Sequence, residues 1–217
     1  MDLTVFIVVL IGWVFSLCLH EFSHALVAYH GGDTTVREKG YLSFNPFKYT
    51  HPVLSIVMPL VFLAMGGIGL PGGAVYIETW RIHDRRWLSA MSLAGPTANL
   101  VLAIALGLVL QIGNIAHTTV GAGLAFLGTL QVSAVLLNLI PIPPLDGFGA
   151  ISSFLDPDFR AQMSRFGTYG IMVLFLVFWY VPGVSGFFWQ AVDKISAFFG
   201  ISPYLAYVGY SQFMFWK

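Results

Sequence analysis

Residues 3–30, LTVFIVVLIGWVFSLCLHEFSHALVAYH, decide how the rest of the chain is read. A spanning helix needs about 20 mostly apolar residues. Leu3 to Leu19 carry no charged side chain, and the flank before them holds Asp2 with no Lys or Arg. A secretory signal would have a basic flank and a small-residue cleavage site. Here the apolar run flows straight into His20-Glu21-Phe22-Ser23-His24. The stretch therefore reads as a retained membrane helix with a polar cluster in its second half.

Composition agrees. Apolar residues make up 57% of the 217 and charged residues 9%, whereas a soluble domain is about one-quarter charged. Such a surface calls for lipid as its solvent. Formal net charge is zero, which leaves no case for a nucleic-acid partner. Cys18 is the single cysteine, so neither an internal disulfide nor a Cys-based zinc site can form. The length suits one domain, residues 1–217.

The stretch 31–50 is polar, with strand-like character over Thr34 to Phe44. Val53 to Leu70 is apolar, Pro71-Gly72-Gly73 is a turn signal, and Ala74 to Thr79 reads as a short strand. Leu88 to Gly113 and Val120 to Ile140 are further spans, the second stopped by Pro141-Ile142-Pro143-Pro144. Tyr169 to Val181 and Ser185 to Phe199 are two more apolar segments, joined at Pro182-Gly183. The expected fold is a polytopic α-helical membrane protein with about five to six transmembrane helices and a re-entrant segment. The cell membrane is its expected location.

Lys and Arg set the orientation. Arg37, Lys39 and Lys48 lie on one side of Val53 to Thr79, and Arg81, Arg85 and Arg86 on the other. If that stretch enters the membrane and returns, both basic loops are cytoplasmic. The turn at Ile115 to Thr119 then faces outside with no basic residue, and the positive-inside rule is obeyed. The N-terminus is external and the polar cluster lies toward the cytoplasmic side.

Four residues along a helix advance about 400°, so His20 and His24 share one face, a turn apart. That spacing lets two imidazoles reach one zinc ion while the Glu between them reaches a water on it. Ionisable groups at membrane depth cost at least about 2.5–3.5 kcal/mol each, and a divalent cation offsets that cost. The competing reading is a helix end at the lipid–water boundary, where His and Glu are tolerated.

A catalytic zinc takes three protein ligands and a water. Asp146 is the candidate third ligand. It follows a span directly, in Asn138-Leu139-Ile140-Pro141-Ile142-Pro143-Pro144-Leu145-Asp146-Gly147. Irregular backbone at membrane depth is tolerated only beside protein or a wet cavity, which suits the presentation of a carboxylate to a buried site. A turn that merely contains Asp-Gly is the alternative. His30, His51, His83 and His117 read as interfacial or hydrogen-bonded.

These residues together resemble the site-2 protease family of intramembrane zinc metalloproteases, in its compact microbial form without PDZ or CBS domains. His20-Glu21-Phe22-Ser23-His24 and Asn138-x-x-Pro141-x-x-Pro144-Leu145-Asp146-Gly147 match two of its motifs. Ala94-Gly95-Pro96-Thr97-Ala98-Asn99 matches the third. The likeness covers about residues 11–154. It implies that Asp146 is the third ligand of one Zn2+ per chain. It further implies that Asn138 contacts substrate or steadies the oxyanion, and it gives Asn99 a weaker role of the same kind or in lining the core. Finally, it implies a small membrane-embedded β-sheet built from the two strand-like segments.

The expected activity is zinc-dependent hydrolysis of a peptide bond in or near a transmembrane helix of another membrane protein, as in regulated intramembrane proteolysis. Glu21 is the catalytic base, and His20, His24 and Asp146 are the metal ligands. The partners are the lipid bilayer and a membrane-spanning protein substrate. The rival reading is a membrane metal transporter, which should show several ligand sets along a route. A single cluster is visible. Oligomeric state is not legible.

Overall fold

In lipid every backbone polar group must be satisfied within its own segment, so long apolar runs fold as helices. The computed structural model describes residues 3–49, 75–112 and 114–214. Among them the chain runs α1 (Thr4–Gly31), α2 (Thr35–Glu38), α3 (Arg85–Leu110), α4 (Thr119–Asn138), α5 (Asp146–Ser152), α6 (Pro157–Arg165), α7 (Gly167–Tyr180), α8 (Val184–Phe198) and α9 (Pro203–Phe213). Single 3-10 turns lie at Pro46–Lys48, Thr79–Arg81 and Ile115–His117.

Helices α1, α3 and α4 are each long and apolar enough to cross a membrane. Side-chain caps start two of them. Asp84 accepts from the Arg86 and Trp87 N–H groups at the head of α3, and Thr118 accepts from Gly121 N–H at the head of α4. Helix α4 is the buried centre, with α1, α3, α8 and α9 packed around it. Its small residues, among them Gly121, Ala122, Gly123, Ala125 and Gly128, let neighbouring backbones approach, the usual device where lipid supplies no hydrophobic drive between helices. Gly209 of α9 lies close against the Ala122 carbonyl, where a Cβ would collide.

On α1, Val5, Val9 and Trp13 are buried while Ile7, Ile11 and Phe15 are exposed. Both faces are apolar, which is the pattern of a helix with protein on one side and lipid on the other. Exposed Val101, Leu108, Trp179 and Phe187 extend that surface. The chain is a polytopic helical membrane protein.

Two expectations are corrected. The first is the sheet: no strand occurs among the described residues. The strand-like stretch at Thr34 to Phe44 is α2 followed by turns, with Gly40 at φ 76° reversing the chain. The buried Asp33 carboxylate starts that turn, accepting from Thr35 N–H at 3.1 Å and the Thr35 hydroxyl at 2.6 Å. Residues 75–78 belong to no helix and pair with no strand among the described residues, and Thr79 N–H donates to the Ile77 carbonyl at 3.1 Å in a tight turn around Glu78. Side chains hold them instead. Glu78 N–H donates to Asp33 Oδ2 at 2.7 Å, and the Glu78 carboxylate binds Lys39 at 2.9 Å and Arg81 at 2.5 Å.

The second concerns the span count. Among the described residues three helices qualify, or four if the bent pair Pro157–Arg165 and Tyr169–Tyr180, meeting at 70°, acts as one broken span. Helices α7 and α8 have 14 and 15 residues. At about 1.5 Å per residue each falls short of a hydrocarbon core of about 30 Å. The expected re-entrant stretch, Val53 to Leu70, lies outside the described residues.

The tether on Glu78 carries a pH prediction. Hydrogen bonds from Arg81 and then Lys39 hold its carboxyl below the usual carboxylate range. A depressed folded-state pKa means the tether is intact above the ordinary carboxylate value and is lost as pH falls through the lower, folded-state value. Limited proteolysis of the 75–81 segment should therefore accelerate only on acidification below the ordinary carboxylate range. In Glu78→Gln the segment should already be cut faster at neutral pH. The effect is modest, because exposed ion pairs contribute little.

Candidate metal centre

Helix α1 carries His20 and His24 one turn apart, and the first residue of α5 brings Asp146 to them. The His20 and His24 Nε2 atoms are 3.0 Å apart. Asp146 Oδ2 lies 3.3 Å from His20 Nε2, and Oδ1 lies 3.4 Å from His24 Nε2. Ligand atoms of all three lie within 4.8 Å of one another. Both histidines and Glu21 are buried.

The second nitrogen of each ring defines what the first can do. His20 Nδ1 lies 2.8 Å from the Asn99 side-chain oxygen, and His24 Nδ1 lies 2.7 Å from the Met91 carbonyl. Both partners accept, so each Nδ1 donates and each neutral ring presents a lone pair at Nε2. Two lone pairs and a carboxylate thus converge. Asp146 Oδ2 is buried with no hydrogen-bond donor. Such a set repels itself unless a cation joins it. For zinc held at about 2.0–2.1 Å by tetrahedral ligands, donor atoms stand about 3.3 Å apart, close to the distances here. The residues fit a zinc ion.

Gly95 of α3 leaves room for it. A Cβ there would strike Nε2 of both histidines. Pro96 follows, with no N–H to return to the Ser92 carbonyl, in the turn of α3 next to the Met91 carbonyl that His24 uses. Gly95→Ala should improve intrinsic helix propensity yet push the rings apart. We expect zinc affinity, measured by chelator competition, to fall on the order of 10–100-fold, as when a ligand loses its outer-shell partner, with the metal-free fold retained.

Gly147 fixes the position of Asp146. Its Cβ would meet the Leu139 and Ile140 carbonyls, so the start of α5 lies directly on the end of the α4 span. His20, His24, Asp146 and Glu21 line a cavity of about 520 Å³ together with Ser92 and Asn138. Glu21 Oε2 accepts from the Val75 N–H at 3.1 Å, so this non-helical segment borders the carboxylate. Asn138 is at the cavity wall, whereas Asn99 stands behind His20. His30, His83 and His117 are exposed and line no part of it, and His51 lies outside the described residues.

The Met91 carbonyl and the Val75 N–H have no signature in the sequence, because every residue carries these groups. Gly95 stands in the sequence only as part of the Ala94-Gly95-Pro96-Thr97-Ala98-Asn99 motif; its contact with both rings depends on how α1 and α3 cross.

Known proteins resemble the chain over nearly its whole length. No family model matches it, and no solved structure does. Relatives carry the name "Putative zinc metalloprotease". Rip2 of Mycolicibacterium smegmatis is 46% identical over 98% of this chain and 82% of its own length. Rip2 of Mycobacterium tuberculosis strain H37Rv is 42% identical with the same coverage. YwhC of Bacillus subtilis is 31% identical over 83% of each chain. With this degree of identity, and with a zinc-compatible His-His-Asp set beside a buried glutamate among membrane-length helices, the chain belongs to the site-2 protease family of zinc metalloproteases.

Proposed function

We propose that this zinc metalloprotease acts within the membrane, cutting a peptide bond in or near a transmembrane helix of another protein. One observation carries the reading: His20, Glu21 and His24 lie inside the helix bundle in the second half of a 28-residue apolar helix, with Asp146 brought against the two histidines from α5. From His24 to the end of α1 is about 10 Å, so the cavity sits below the membrane surface on the side of the basic residues. By the positive-inside rule that side is cytoplasmic.

In this reading His20, His24 and Asp146 hold the metal. Zinc bound there supplies Lewis acidity toward the scissile carbonyl and lowers the pKa of water. Glu21 takes the proton of the attacking water and passes it to the leaving amine. The Val75 N–H keeps the Glu21 carboxylate turned into the cavity. Asn138, on the cavity wall, donates its amide to the developing oxyanion. A substrate helix engages its own carbonyls in i→i−4 bonds, so it must unwind locally, and the non-helical backbone of Val75 to Ile77 at the cavity wall offers main-chain groups to the unwound strand. The finer topology belongs to the same proposal: α6 with α7 as a broken span, the stretch 53–70 entering and returning, and the whole chain forming one module of the cell membrane. Regulated cleavage of a membrane-bound substrate is the corresponding role.

Among the described residues one metal-capable group occurs, which gives no stepwise route of the kind a transporter needs. The test is a reconstituted panel of single-span substrates in liposomes, differing only in whether the span contains a helix-breaking Gly-Pro or Asn. Cleavage inside the span, favoured by the breakers and absent in Glu21→Gln, supports intramembrane action. Cleavage confined to soluble loops would overturn it.

A further inference from the structure

Gln131 lies midway along α4 and is fully buried. An amide at that depth is costly unless it is bonded, and its bonds lead to the metal centre. Gln131 Oε1 accepts from Asn99 Nδ2 at 3.1 Å, and Gln131 Nε2 donates to Ser16 Oγ at 3.1 Å. Ser16 in turn donates to the Trp13 carbonyl at 2.8 Å. Asn99 offers its remaining oxygen to His20 Nδ1. All the side chains in this run are buried, and they join α1, α3 and α4.

The run has a direction. The Trp13 carbonyl can only accept, so the Ser16 hydroxyl gives its proton there and is left to accept from Gln131. Gln131 then turns its oxygen toward Asn99, and Asn99 turns its oxygen toward His20. Reversing the run would point an Asn99 N–H at His20 Nδ1 and move the ring proton to Nε2, the nitrogen that faces Asp146 and His24.

We infer that Gln131, backed by Ser16, is a positioning residue for the zinc site: it holds Asn99 in the orientation that keeps the His20 Nε2 lone pair free for the metal. This rests on the metal reading of His20, His24 and Asp146. A role as a plain staple between helices would use the same hydrogen bonds but would not act through Asn99.

Zinc affinity of the full chain in detergent separates the two, measured by competition with a chromogenic chelator alongside thermal unfolding of the metal-free protein. Gln131→Leu should lower zinc affinity on the order of 10–100-fold, the usual effect of removing a ligand's outer support. In an Asn99→Ala background the same substitution should cost nothing further. Ser16→Ala should weaken binding in the same direction, and it serves as the test if Gln131→Leu does not fold. Unchanged affinity in folded Gln131→Leu or in Ser16→Ala overturns the inference, as do losses that simply add in the double variant. Absence of zinc binding in folded wild type is a different failure, since it removes the metal site itself and this inference with it.

Discussion

Asp146→Ala is expected to empty the metal centre while leaving the helical bundle folded. In the proposed site Asp146 is the one anionic member of the set and the only one borne on α5. Without it, two neutral imidazoles on α1 face an open cavity with their lone pairs 3.0 Å apart. Two nitrogen donors do not complete a catalytic zinc site, which takes three protein ligands. The loss of affinity should exceed the about 10–100-fold that accompanies loss of an outer-shell partner. His24→Ala should act likewise. Metal analysis of purified protein gives the outcome directly: one zinc per chain in wild type and little in either variant. Full retention in Asp146→Ala would mean that another carboxylate completes the site, and Glu21, lining the same cavity, would be the first to examine. Loss of this half-buried carboxylate should not unfold the metal-free chain, because Asp146 Oδ2 has no hydrogen-bond donor to forfeit.

Glu21→Gln is expected to separate metal binding from catalysis. The substitution keeps size and shape, and the new side-chain oxygen can still accept from the Val75 N–H that Glu21 uses at 3.1 Å. What disappears is the ability to take and return a proton. General acid–base groups contribute about 10²–10⁴-fold to rate, so cleavage should fall by that factor while zinc content stays at the wild-type level. A cleavage assay run beside metal analysis on one preparation checks both halves. Residual cleavage near wild type would move the base elsewhere. Loss of zinc with loss of cleavage would make Glu21 part of the metal's support.

These two variants fall on opposite sides of the line between local and long-range information. His20, Glu21 and His24 are legible as a unit because a helix turns by a constant angle per residue, so relative placement within one turn follows from spacing alone. Asp146 is different. Its own context admitted either a metal ligand or an ordinary Asp-Gly turn, and the family resemblance tipped the reading. The geometry that brings it to the histidines depends on Gly147 lying against the Leu139 and Ile140 carbonyls. Gln131 is an amide in the middle of an apolar span, and its partners Asn99 and Ser16 come from two other helices. The strand expectation at Thr34 to Phe44 failed for a related reason. β-branched residues suit an extended strand, but among the described residues no neighbouring strand pairs with them, and the Asp33 carboxylate turns the chain into α2 instead.

Amino-acid order by itself determined that this is a membrane chain, and that one helix face carries two imidazoles with a glutamate between them. Both properties are sums over contiguous residues: hydropathy over a span's length and rotation over a helical turn. Only the tertiary structure decided that α5 delivers Asp146 to that face and that α3 must present a glycine at Gly95. It alone set the Met91 carbonyl and Asn99 as the acceptors that orient the rings. Those relations depend on how closely α1, α3 and α4 approach and cross. Side-chain size at many separated positions sets that approach, and no local pattern encodes it.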